Sequence, residues 1–482
     1  MTTTHCLALG VARRIDGAGG DSPLIVPAHH LVTHGVVVGM TGSGKTGLVT
    51  VMVEEALRAG IPVLAIDVKG DLPNLLLAFP SFSARRARPW ASAMADPGDA
   101  RSEDDLAAAL ADERRRGLEG WGVHEAELAK FHASTNIRVL TPGSTAGEPL
   151  HILSSLERRS ARWDTDPEAA RASLSAAISL VLRLVGHDGD PAKSKEHVLL
   201  SLLAERRLRA GDAADLPALL ADLADPPIDT VGALRIDAFL PKKERRELAA
   251  SLNTLLASPS FASWRTGTTL DVGAWLKPGP RTPGVIVSVA HLDDEERSLV
   301  LSVVLEEVLS WVRSLPGTQR LRALVVLDEV YGMLPPHPAN PPTKRPIVSL
   351  MKQARAFGVG VVVATQNPMD LDYRALGNAG MWCVGRLQTD ADYARVVEGM
   401  GDPTKSLAAV VKRLSHRWFV LRDARAGAPV LFQPRWAMSL LRGPMTRAEL
   451  ERARREREAP VSSLRGSVPT SSCSPGASDG PH

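Results

Sequence analysis

The segment 35–58 constrains the fold more than any other part of the chain. It reads Gly-Val-Val-Val, then Gly39-Met-Thr-Gly-Ser-Gly-Lys-Thr46, then GLVTVMVEEALR. A short, β-branched, wholly apolar run is the pattern of a buried parallel strand. The run 47–58 places its apolar residues at helical spacing, and IPVLAID at 61–67 is a second strand. Strand, glycine loop, helix and strand make a βαβ unit, whose crossover commits the chain to a mainly parallel sheet. The loop fits G-x-x-x-x-G-K-[ST] in full. Its glycines let successive backbone N–H groups turn inward onto phosphate oxygens, and the helix after the loop adds the positive end of its dipole. Gly39, Thr41, Gly42, Ser43, Gly44, Lys45, Thr46 and Gly47 are therefore expected to bind ATP. In that reading Lys45 reaches the β- and γ-phosphates, and the Thr46 hydroxyl sits on Mg2+.

A hydrolytic site needs an acidic pair at the end of a second buried strand, and ALVVL followed by Asp328-Glu329 supplies it. Asp328 is expected to hold Mg2+ through water and Glu329 to act as general base. Asp67 ends the strand IPVLAID, where strand C-termini open onto a ligand crevice. It is a candidate Mg2+ ligand, or else a turn-forming Asp ahead of Lys69-Gly70. In GVVVATQNP (360–368), Gln366 either contacts the γ-phosphate or its water, or belongs to an ordinary turn before Pro368. Arg355, in KQARAFG, is a candidate arginine finger for a neighbouring subunit's ATP, or an arginine that complements its helix dipole. Arg386, in VGRLQTD, is a second candidate finger.

The 482 residues divide into a short lead (1–30), a first part of the ATPase core (31–80), a largely helical insertion (81–270), a second part of the core (271–445) and a C-terminal helix with a disordered tail (446–482). Within the insertion, 167–185, 195–210, 216–223 and 242–256 all carry helical periodicity and read as an all-α subdomain. The fold class is α/β, a RecA-like sheet domain with that subdomain inserted. The 57 basic and 54 acidic residues leave a formal charge of only +3, so bulk charge gives no nucleic-acid signal. The cysteines Cys6, Cys383 and Cys473 lack zinc or disulfide spacing, which suits a cytoplasmic location. The opening MTTTHCLALGVARR lacks a signal-peptide core, and no apolar run approaches the ~20 residues that span a bilayer, so no membrane partner is expected.

GMTGSGKT (39–46), AIDVKGDL (65–72), LVVLDE (324–329), RAFGVGVVVATQNP (355–368), LGNAGMWCVGRLQTDAD (376–392) and FQPRWAMSLLRGPMT (432–446) together resemble the HerA/FtsK superfamily of P-loop motors, and HerA-like bacterial ATPases in particular. The resemblance covers residues 30–80 and 280–440 and matches the helical middle only in type. It implies a RecA-like core assembled as a hexameric ring around double-stranded DNA, with ATP and Mg2+ as cofactors. Lys45, Thr46, Asp328, Glu329, Gln366 and Arg355 fall on the family's functional positions. Archaeal members carry an N-terminal barrel, for which the roughly 30 residues before the first strand leave no room, and this counts against their nuclease partner. Two functions fit the motifs: a DNA translocase or helicase, and a nucleotide-switched regulatory or scaffolding ATPase that acts on protein partners. Basic loops at Lys242–Arg246, which reads first as a solvated helix start, and at Lys344-Arg345 are the candidate DNA contacts.

Overall fold

The computed structural model describes residues 5–17, 19–96, 98–160, 162–377, 379–400 and 406–458. The tail expected to be disordered, 459–482, and Cys473 within it lie outside the described residues.

Thirteen strands among the described residues form one sheet. They are β1 (Cys6–Arg14), β2 (Ser22–Pro27), β3 (Gly35–Val38), β4 (Val63–Asp67), β5 (Thr135–Pro142), β6 (Glu148–His151), β7 (Thr268–Thr269), β8 (Thr282–Ser288), β9 (Ala323–Asp328), β10 (Val359–Thr365), β11 (Met381–Val384), β12 (Phe419–Asp423) and β13 (Val430–Pro434). Their spatial order is β2-β1-β13-β12-β11-β3-β10-β9-β4-β8-β5-β6-β7. From β11 to β7 every neighbouring pair is parallel, and from β11 back to β2 every pair is antiparallel. This is the RecA-like architecture expected from the βαβ pattern.

The central strands are apolar on both faces because both faces are covered. Val36 and Val38 of β3, Val325 and Leu327 of β9, and Val361 and Val363 of β10 enter one core cluster. Val37, Leu324, Val326, Val362 and Ala364 enter the other. The two-residue strand period sorts them. One face is covered by α1 (Lys45–Arg58), α2 (Ala84–Met94), α3 (Glu103–Glu119) and α4 (Glu125–Ser134). The other is covered by α5 (Pro167–Leu184), α6 (Lys195–Ala210), α7 (Leu216–Ala224), α8 (Lys242–Ala257) and α9 (Asp294–Ser314).

The structure adds strands where helices or a plain lead were expected. β1 and β2 lie within the lead, and their place in the sheet depends on a partner far along the chain, since Gly10 pairs with Pro434. β5 and β6 split the helical insertion in two and extend the parallel sheet beyond β8.

Helix α1 is buried nearly all round, and that burial includes two acids, Glu54 and Glu55. Glu54 is fully buried and accepts from Arg435 Nη1 (2.9 Å), the N–H groups of Met438 (3.0 Å) and Ser439 (2.8 Å), and Ser439 Oγ (2.8 Å). Glu55 accepts from Arg435 Nη2 (2.8 Å), Arg58 Nη1 (2.7 Å) and the N–H of Ala8 (2.9 Å). Buried carboxylates with this many donors are satisfied. They strap residues 435–439 onto the helix that opens at the glycine loop, which gives FQPRWAMSLLRGPMT a structural role.

Candidate functional site

The C-terminal ends of β3, β4, β8, β9 and β10 lie in register. Thr365 pairs with Val38, Asp328 with both Ala364 and Asp67, and Ser288 with Asp67. The glycine loop leaves β3 at this edge. Its ends are fixed by the N–H of Gly39 to Thr365 O (3.3 Å), the N–H of Met40 to Arg386 O (2.8 Å) and the N–H of Arg417 to Ser43 O (3.1 Å). Gly44 has φ +92, and a Cβ there would meet Arg417 Cγ at 2.9 Å, so both conformation and space require glycine. Gly42 and Gly44, both at positive φ, turn the loop back on itself before α1 begins at Lys45.

Lys45 is buried, and burial lowers its pKa against the pull of Asp328 and Glu329. Asp328, at the end of β9, is pushed up to about 6 by burial, with Lys45 opposing and the neighbouring carboxylates of Asp67, Asp71 and Glu329 adding to the rise. Its Oδ2 is buried and has no hydrogen-bond partner. Ser43 Oγ in the loop is likewise buried and unpartnered. An orphaned carboxylate oxygen beside a buried lysine and a glycine cradle fits a Mg2+-bound phosphate chain, which would satisfy these groups together. Among the described residues no group of three or more His, Cys, Asp or Glu could hold a metal by itself.

Glu329 takes φ +71, left-handed for a residue that rarely adopts it. Three contacts hold it there. Lys69 Nζ donates to Oε2 at 2.6 Å, and Oε1 accepts from Thr365 Oγ1 (2.9 Å) and the N–H of Gln366 (3.3 Å). Burial pushes its carboxyl up, but Lys69, Lys45 and Thr365 outweigh this and hold it below the ordinary glutamate range. Gln366 closes the circuit to the loop, because its Oε1 accepts from Thr41 Oγ1 at 2.8 Å. Loop, β10 terminus and acidic pair are therefore one hydrogen-bonded unit.

The structure brings Thr41, Lys45, Asp328, Glu329 and Gln366 together. Asp67 is occupied differently. Its Oδ1 accepts the N–H groups of Gly70 (2.9 Å), Asp71 (3.1 Å) and Leu72 (3.4 Å), and its Oδ2 accepts from Ser288 Oγ (2.7 Å). Burial raises its pKa to about 6 against those bonds. Both oxygens build the turn, which is the turn-forming one of the two readings open for this residue. Arg355 sits in the short 3-10 helix Ala354–Phe357, ahead of β10. The seven residues of β10 place it about 20 Å from Gln366, at the opposite edge of the sheet, out of reach of its own glycine loop. Arg386 is instead beside the loop through its backbone. Of the two candidate DNA contacts in the Pro-rich loop, Lys344 pairs with Asp372 at 3.1 Å, its side chain mostly buried. Arg345 is exposed, 3.6 Å from Glu306.

Three groups at the site carried no role in the sequence reading: Lys69, Thr365 and Arg417. Lys69 had a signal, a lysine two residues past a strand end that opens on the crevice. Arg417 had none, since it reaches the loop only through the fold.

Residues 13–83 match the family model described as Helicase HerA-like C-terminal. No curated protein matches the chain in sequence. Among solved structures, VirB4 of Thermoanaerobacter pseudethanolicus is similar with a TM-score of 0.50 at 13% identity, over 89% of this chain and 96% of that one. The plasmid coupling protein TrwB, in complex with the ATP analogue ADPNP, gives 0.49 at 14% identity, over 87% of this chain and 90% of that one. TrwB with ADP and Mg2+ gives 0.48 at 15% identity, over 87% and 89%. By sequence over residues 13–83 the chain is similar to the family described as Helicase HerA-like C-terminal, and over nearly its whole length its fold is the RecA-like α/β fold that it shares with VirB4.

Proposed function

We propose that the protein binds ATP with Mg2+ in the Gly39–Thr46 loop and hydrolyses it, as a DNA translocase working in a ring of its own copies. The observation that carries the hydrolytic reading is the orphaned Asp328 Oδ2 next to buried Lys45, with Glu329 held one residue further on. Lys45 neutralises charge on the phosphates, and Thr46 and Asp328 hold the metal. Mg2+, when bound, supplies further charge neutralisation at the transferring phosphate. Glu329 orients and deprotonates the attacking water once the phosphate draws Lys69 from it, and Gln366 couples that region to Thr41. In a ring, Arg355, exposed and remote from its own loop, acts as an arginine finger for a neighbouring copy's ATP. The match to HerA-like helicases supports DNA as the track.

A second reading has an observation of its own. Lys344 is committed to Asp372 rather than to solvent, and the net charge is small, so a switch that acts on a protein partner is the rival. ATPase rate with and without linear duplex, at low and moderate salt, separates them. A translocase is stimulated by duplex and loses the stimulation as salt rises. Hydrolysis indifferent to duplex at both salts supports the protein-directed switch and removes the translocase.

A further inference from the structure

A cavity of about 660 Å3 lies between α5, α9 and the Pro-rich stretch 340–345, on the face of the sheet turned away from α1. Ser175 and Ser179 of α5, Ser302 and Glu306 of α9, and Pro341 and Arg345 of that stretch form its walls. Segment 187–191 closes one side, where Gly189 lies so near α5 that a Cβ on it would meet Ser179 O at 2.7 Å. The nucleotide chemistry does not use this space. We propose that it binds an organic cation, an ammonium or guanidinium on an aliphatic stem, with Glu306 as the counter-ion.

Glu306 is the reason. It is 7% exposed, and among the described residues no donor lies within hydrogen-bond range of its carboxylate. Its ion-pair neighbour, Arg345, stands off at 3.6 Å, and that side chain is 62% exposed. Burial raises the Glu306 pKa against the pull of Arg345 and Arg313. A carboxylate taken out of water needs donors on its oxygens, and this one lacks them. The other charges on the walls point the same way. Four carboxylates and two guanidiniums line the cavity, together with the imidazole of His187. Arg183 is taken by Glu295 at 2.7 Å, Asp190 pairs with Lys193 at 3.0 Å, and Asp188 is exposed. Two hydroxyls have spent their hydrogens: Ser179 Oγ donates to Gly189 O and Ser302 Oγ to Leu299 O, both at 2.7 Å. What they turn toward a ligand is lone pairs. Acceptors around an unmatched negative charge select a ligand that is positive and rich in N–H donors. Ala172, Ala176, Leu299 and Pro342 give the stem an apolar wall, and the volume is that of a small-molecule site.

The test is calorimetric titration of the full chain, at fixed ionic strength, with putrescine, agmatine, N-acetyl-lysine methylamide and the uncharged stem analogue butanediol. The wild type is expected to bind at least one of the three cations about tenfold or more tightly than butanediol. Glu306→Gln keeps the shape and removes the charge, and is expected to weaken the cations by about tenfold or more while leaving butanediol unchanged. Ala176→Trp fills the cavity from α5 without touching the carboxylate, and is expected to weaken every cation that the wild type binds. Urea unfolding checks that each variant is folded, and either variant alone suffices if the other is not. Tighter binding of putrescine or agmatine assigns a free amine as the ligand. Tighter binding of the lysine amide assigns a side chain presented by a protein partner. Wild-type affinity for the cations no greater than for butanediol overturns the inference. Wild-type cation affinity retained in folded Glu306→Gln also overturns it, because the cation then sits on the exposed acids Asp188 and Asp190. Cation binding untouched in folded Ala176→Trp does the same.

Discussion

Two pairs of adjacent acids are buried among the described residues, and they are treated in opposite ways. Glu54-Glu55, in α1, is saturated by Arg435, Arg58, Ser439 and three backbone N–H groups. Asp328-Glu329, at the end of β9, keeps one oxygen with no partner, a carboxyl pushed up to about 6, and a residue held at φ +71. A structural acid pair is buried with its donors. A pair meant for a ligand is buried without some of them and stores the cost as a raised pKa. On the proposed function, the contrast separates scaffold from chemistry within one sheet domain.

The largest expected effect comes from breaking the satisfied pair. Arg435→Met leaves Glu54 and Glu55 buried without their guanidinium and should cost about 3–5 kcal/mol in urea unfolding. A loss under about 1 kcal/mol would contradict the scaffold role. The next effect lies at the opposite edge of β10. His34 is buried, and its Nδ1 accepts the N–H of Val361 at 3.1 Å. Burial, helped by the charge of Arg355, lowers its pKa to about 4. The unfolded imidazole takes a proton near pH 6.5, so the stability from neutral His34 is present above that pH and is lost as pH falls toward about 4, up to roughly 3 kcal/mol in all. His34→Asn keeps an acceptor for Val361 and suits the observed φ of +64, so it should flatten the unfolding free energy against pH across that window. An unchanged slope would assign the acid lability elsewhere. The smallest effect comes from the unsatisfied pair and has the opposite sign. Asp328 has its folded pKa raised from the ordinary 3.8 to about 6, so the stability of its protonated form is lost as pH rises from about 4 through about 6, and above that its buried charge destabilises the ligand-free chain in full. Asp328→Asn should therefore stabilise that state at pH 7.5, by on the order of 1–3 kcal/mol, with no gain below pH 4. Destabilisation at pH 7.5 would erase the contrast between the pairs.

The phosphate half of the site was legible because its geometry is local. Glycines, lysine and threonine lie within eight residues of one another, and Asp328 and Glu329 announce themselves by ending a run of five apolar residues. The rest of the site is made by distant pairing. Arg417 meets the loop only because β12 and β13 run antiparallel beside β11 and the Glu54–Arg435 pair pins residues 435–439 to α1. Asp67 shows the limit of position alone. Its place at a strand end suggested a ligand, yet the backbone N–H groups of Gly70, Asp71 and Leu72 claim one oxygen and Ser288 the other. Strands β5 and β6 were hidden between helices because strand patterns of four to eight residues are weak against long helical runs on either side.

The central claim is that the unsatisfied acid pair performs hydrolysis on a nucleotide held by the loop. Phosphate release from ATP by Glu329→Gln, measured beside ATPγS binding by the same variant, tests it most directly. The account predicts release reduced by about a hundredfold or more, as expected for loss of a general base, with binding kept within a few-fold of wild type. Release at the wild-type rate, with binding intact, would contradict it.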